Sequence, residues 1–301
     1  MNYKYKIDIK NESDNKELFE SYLEDVRYHI HYEVSHLFDF NINLLVIFRN
    51  LDNETNFVNG ETTNGGAAYH KKRYIILLNI NSLKRIPYDN GLDFAIAVRH
   101  ELAHIYDFYH TLNNKFYKFK SPAKHSYYST RDLVIGIGWR FWTEFFAYYH
   151  TFKEFNDKHN YPTLLQIVRA YEQLNNQYNK LIETGYSESD ECLQQAQSLL
   201  DNIAAFVYAI SKYMSGYIFG KKKYYDYCAK TANKKSFIQV QQFIDGLYRK
   251  IVPMLTNTYG KGEARKLFNI GEYILRNIYR RFDCGVARYE RQVRLAVYFE
   301  R

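Results

Sequence analysis

The spacing of apolar residues divides the chain into a mixed first half and a helical second half. Over NKELFESYLEDVRYHIHYEVSHLF, residues 15 to 38, apolar side chains recur at Leu18, Tyr22, Val26, Ile30 and Val34. A repeat of four keeps them on one face, so the segment predicts a long amphipathic helix. INLLVIFRN, residues 42 to 50, is rich in β-branched side chains and short enough to be a buried strand. A loop of Asn, Thr and Gly follows over 51 to 66. AAYHKKRYIILLNINSL, 67 to 83, then reads as one strand or a hairpin arm, stopped by Pro87 and the turn-forming Tyr88-Asp89-Asn90-Gly91.

From Gly91 the period changes. Ala95, Val98, Leu102, Ile105 and Tyr109 recur at alternating spacings of three and four, the stripe of a helix entered through Asp89 or Asn90 as its cap. His100, Glu101, His104 and Asp107 lie on the other, solvated side. Residues 111 to 135 lack a clear period and read as a long loop of a functional kind. After Gly136 and Gly138, WRFWTEFFAYYHTFKEF begins another helix. Beyond Pro162 helical patterns run over about 162 to 184, 187 to 217, 235 to 257 and 262 to 281, with a last helix from Val286. These elements predict an α+β protein: a mixed region over residues 1 to 160, then a largely α-helical region over 161 to 301.

Composition narrows the class. The chain has 301 residues and 46% hydrophobic content, enough to bury a core without staples. Cys192, Cys228 and Cys284 are far apart and odd in number, which predicts neither a disulfide framework nor a thiolate zinc site and points to a reducing compartment. The polar N-terminus lacks the apolar core of a signal peptide, and LLVIF at 44 to 48 is too short to span a bilayer. A cytoplasmic protein without a membrane span is therefore expected. The formal charge of +8 permits nucleic-acid contact, but the basic residues are scattered among acids, so nucleic acid is not the expected partner.

The chemistry concentrates in His100-Glu101-Leu102-Ala103-His104. Histidines at i and i+4 project from one helical face, so both imidazoles can reach one zinc ion at about 2.0 to 2.1 Å. Glu101, beside them and angled away, can take a proton from water as it attacks a carbonyl and deliver it to the leaving amine. Such a site needs a third protein ligand.

One candidate is His110, which completes H-E-x-x-H-x-x-D-x-x-H and so resembles the metzincin signature. Asp107 stands where that family has glycine. Glycine there leaves the helix with positive φ, a conformation Asp adopts less readily. The apolar period also runs on through Tyr109, so the helix is expected to continue and point His110 elsewhere. Met214, in SKYMSGY, only faintly matches a methionine turn and lies inside a helical pattern.

The other candidate is Glu144, an acid among Phe141, Trp142, Phe145 and Phe146, costly to bury unless paired or metal-bound. Glu154, in HTFKEF, is a lesser option. H-E-x-x-H followed by a helix carrying E-x-x-A resembles the gluzincins, and more narrowly the ImmA/IrrE-like intracellular metallopeptidases, over about residues 40 to 150. The resemblance implies a zincin-like catalytic region with a small mixed sheet, His100, His104 and Glu144 as zinc ligands, and Glu101 as general base. It also implies a peptide or protein substrate. Asp107 is either a carboxylate that orients a ligand imidazole or a helix-surface acid. Tyr148, Tyr149 or His150 could donate a hydrogen bond to an oxyanion. The strand before the motif helix would lie at the cleft edge or inside the core. The contrasting expectation is a binding or regulatory protein on a zincin-like scaffold, acting through its helical half.

Overall fold

A computed structural model describes residues 4–51, 65–70, 73–110, 130–155, 164–184, 190–220, 234–257, 264–278, 283–289 and 292–298. Its first strand, β1 (Tyr5–Asn11), was not expected from the hydrophobic pattern, yet YKIDIKN alternates Tyr5, Ile7 and Ile9 with polar residues. β1 runs parallel to β2 (Ile42–Arg49), and β2 runs parallel to β4 (Arg73–Asn79). β3 (Gly65–His70) closes the order β1-β2-β4-β3 antiparallel to β4, with Ala67 opposite Ile76. Of the two readings of residues 67 to 83, one strand fails and the hairpin holds, with His70 of β3 opposite Arg73 of β4. The start of this segment belongs to terminal strand β3, its middle to interior strand β4, and its end to a 3-10 turn (Ile80–Arg85).

Parallel neighbours need a crossover, and helices supply it between β1 and β2. The helix expected over 15 to 38 is two, α1 (Lys16–Ser21) and α2 (Leu23–Leu37), broken at Tyr22 with φ −118° and ψ 13°. Asn15 caps the first by accepting from the Leu18 N–H. Val26, Ile30 and Val34 of α2 are fully buried with Leu44, Val46, Ile76 and Leu78 of the sheet, one continuous core.

After the short α3 (Ile86–Asp89), Asn90 and Gly91 have φ of 54° and 75°, two left-handed residues that turn the chain into α4 (Leu92–His110). The Asp89 carboxylate accepts from the Asp93 N–H at 2.9 Å, the cap the pattern called for. Val98, Leu102 and Ile105 pack into the sheet core.

α5 (Thr130–Phe155) begins before both glycines, so residues 130 to 135, expected as loop, are helical. Gly138 and Gly271 explain how glycines sit inside helices here. A Cβ at Gly138 would lie 1.8 Å from the Leu267 carbonyl oxygen, and one at Gly271 would lie 1.9 Å from that of Val134. The backbones of α5 and α9 (Ala264–Ile278) touch at this crossing. The helical reading of the second half holds for α6 (Leu164–Thr184), α7 (Asp190–Gly220), α8 (Lys234–Asn257) and α9.

It fails at the end of the chain. In place of a helix from Val286 the structure has β5 (Asp283–Tyr289) paired antiparallel with β6 (Gln292–Tyr298). QVRLAVY spaces Val293, Leu295 and Val297 by two, a strand period that competes with the helical one.

The protein is therefore α+β, mostly helical with a small mixed four-stranded sheet. Close backbone approaches group residues 1–114 with 146–159, and residues 115–145 with 160–301. The division falls within α5, between Phe145 and Phe146. In the second unit Ile203, Phe206, Ile210, Phe243, Leu247 and Ile274 are buried. Among the described residues no helix is long and apolar enough to cross a membrane.

Gly91 combines positive φ with a tight contact, because a Cβ there would stand 2.4 Å from His29 Nε2. Gly91→Ala is expected to cost about 1–3 kcal/mol of stability in urea unfolding. An unchanged midpoint and slope would contradict this account of the turn.

Candidate metal centre

The side of α4 opposite its aliphatic stripe is not the solvated face the pattern predicts. Glu101 and His104 are 6% and 7% exposed, Arg99 is 4% exposed and Asp107 is completely buried. Burying such groups is costly unless they are engaged, so this face has to be a site or an ion-pair network. It contains both.

Helical spacing brings the two motif imidazoles together. His100 Nε2 and His104 Nε2 are 3.3 Å apart. Two nitrogens each about 2.05 Å from one tetrahedral ion would be separated by about 3.3–3.4 Å, so the observed spacing already matches that of ligands. Two imidazole N–H groups cannot face each other at this distance, and at least one nitrogen presents its lone pair. Glu144, from α5, supplies a carboxylate oxygen, and the ligand atoms of all three residues lie within 4.8 Å of one another. Two imidazole nitrogens and one carboxylate oxygen are a donor set suited to a divalent cation. His100, His104 and Glu144 could hold a metal ion.

Glu101 stands outside this triangle and beside the sheet. A Cβ on Gly65 would come within 2.7 Å of Glu101 Oε1 and 2.8 Å of the Leu77 carbonyl oxygen. The missing side chain at the start of β3 makes room for the carboxylate at the sheet's terminal strand.

Of the three hydrogen-bond donors considered for an oxyanion, Tyr148 has its ring 4.5 Å from that of His100. His150 packs instead against Phe146 and Tyr106, at 4.3 and 5.7 Å between centroids. Burial, reinforced by Lys153 and Arg99, lowers its pKa to about 3.

His110 lies apart from the cluster. α4 continues through Asp107 without a left-handed residue, and His110 Nε2 sits 3.2 Å from Asp39 Oδ1. Its ring packs on Tyr106 at 4.2 Å. Asp107 is no surface acid, being buried one turn beyond His104. Met214 is buried within α7, not in a turn. Glu154 is engaged by Arg99 Nη2 at 3.5 Å.

The ion-pair network was not anticipated from the sequence. Arg99 Nε lies 2.5 Å from Glu33 Oε2, and both side chains are almost wholly buried. Burial raises the Glu33 pKa to about 7, against the pull of Arg99 and with a further push from Glu154. One signal was available: Glu33 follows Ile30 by three positions and so falls on the apolar stripe of α2, where a carboxylate demands a partner.

No protein-family model, curated protein or solved structure matches the chain. The functional reading therefore depends on the geometry above.

The low pKa of His150 has a definite sign. Between pH 6.5 and about 3 the unfolded chain binds a proton that the folded chain refuses, so stability is lost as pH falls through this window. In metal-free protein, His150→Phe is expected to move the acid-unfolding midpoint to lower pH. A midpoint that stays in place or rises would refute the assignment.

Proposed function

We propose that the protein is a zinc metallopeptidase of gluzincin type, similar to the ImmA/IrrE-like enzymes, that hydrolyses peptide bonds with Glu101 as general base in a reducing compartment. The observation that carries this reading is the 3.3 Å separation of His100 and His104 Nε2, with Glu144 converging on them and Glu101 alongside. His100, His104 and Glu144 would hold the zinc ion. When bound, zinc polarises a carbonyl and makes water more acidic, which is the chemistry peptide hydrolysis lacks at neutral pH.

The remaining roles belong to the chain. Glu101 receives a proton from the attacking water and passes it to the departing amine nitrogen, since the peptide bond breaks only when that nitrogen is protonated. Tyr148, beside His100, donates its phenolic hydrogen to the oxygen that gains negative charge. An extended peptide lies along β3, the terminal strand, where main-chain hydrogen bonds hold it regardless of side chain. Gly65 leaves space there for the base.

The purified protein is expected to contain one zinc per chain, and His100→Ala to lose it, as read by elemental analysis. Glu101→Gln should keep the metal while hydrolysis of a mixed peptide library falls by about 10²- to 10⁴-fold. Undiminished hydrolysis in this variant would eliminate the mechanism. Zinc bound without hydrolysis of any library peptide would favour a regulatory protein on the same scaffold.

Gly65→Ala offers an independent check. Its Cβ would press on both the Glu101 carboxylate and the Leu77 carbonyl of β4, so kcat should fall about tenfold or more with zinc content unchanged. Wild-type kcat would show that the carboxylate does not work from this position.

A further inference from the structure

Arg99 immediately precedes the first motif histidine, and its side chain is 5% exposed. It contacts a carboxylate on each of two other helices: Glu33 of α2 through Nε at 2.5 Å and Glu154 of α5 through Nη2 at 3.5 Å. A buried ionic cluster of this kind is seldom a source of stability, because apolar side chains of the same volume would pack as well without desolvation. The Glu33 pKa of about 7 agrees, since burial outweighs the attraction of the guanidinium. What the ionic arrangement offers is a specific pairing: one buried guanidinium attracts a carboxylate from each of two helices, as an aliphatic contact does not.

The helices joined in this way carry the metal group. α4 bears His100 and His104, and α5 bears Glu144 ten residues before Glu154, about 15 Å along a helix axis. A helix held near its end can neither slide nor turn freely, and metal ligands tolerate displacements of only a few tenths of an ångström. We infer that Arg99 is a positioning residue for the metal centre: by gripping Glu33 and Glu154 it locks α5 onto α4 and so sets the Glu144 carboxylate opposite the two histidines. This inference rests on the metal-binding reading above.

The test uses the full chain, with zinc affinity measured by competition against a chromophoric chelator and ligand geometry by the visible absorption of the cobalt(II) form. Glu154→Gln should weaken zinc binding about tenfold and alter the cobalt spectrum. Because Glu154 is 46% exposed, the urea midpoint of the metal-free protein should barely move. Arg99→Lys keeps the charge but has one ammonium in place of the two nitrogens, Nε and Nη2, that approach the two carboxylates, so it should not restore wild-type affinity. Wild-type affinity and spectrum in both variants would overturn the inference while leaving the metal site intact. Losses of affinity matched by equal losses of metal-free stability would overturn it too, reducing the cluster to a packing role. A wild-type chain that binds no zinc would remove the metal reading and this inference together.

Discussion

The structure around the site depends on a helix that is buried on two sides for different reasons. One side of α4 meets the sheet through Val98, Leu102 and Ile105, an ordinary hydrophobic contact. The other side places Arg99, Glu101, His104 and Asp107 out of water. Each of these has a large hydration free energy to forfeit, so surrounding elements must replace what water supplied. Glu33 and Glu154 do so for Arg99, β3 opens at Gly65 for Glu101, and the histidines face Glu144. The aliphatic side determines that α4 is held against the sheet. The polar side determines what must surround it.

This division also explains what could be read from the chain. The group that could hold a metal ion consists of the same side chains that spacing and family resemblance singled out, because i and i+4 on a helix is a local relation and an acid among four aromatics is a local anomaly. The continuation of α4 past Asp107, and with it the removal of His110, followed from the period reaching Tyr109. Features governed by distant partners were not legible. Gly138 read as a boundary because the Leu267 carbonyl pressed on its backbone cannot be seen locally. Arg99 and Glu33 are far apart in sequence, and only the misplaced charge on the stripe of α2 hinted at a pair.

Ambiguity of period accounts for the other departures. YKIDIKN carries its alternation on only three apolar residues, Tyr5, Ile7 and Ile9, and QVRLAVY satisfies both strand and helix spacing. Tyr22 fits the spacing of α2 yet adopts a non-helical backbone that splits the first helix in two. In each case the apolar positions were right about burial or spacing and silent about which element would use them.

The crossing of α5 and α9 carries a consequence for how this protein can vary. The forbidden Cβ at Gly138 meets a carbonyl of α9, and the forbidden Cβ at Gly271 meets a carbonyl of α5, so a larger residue at one cannot be offset by anything at the other. The two glycines therefore act as one constraint: each leaves room for the other helix's backbone, and the closeness of this crossing holds only while both lack a side chain.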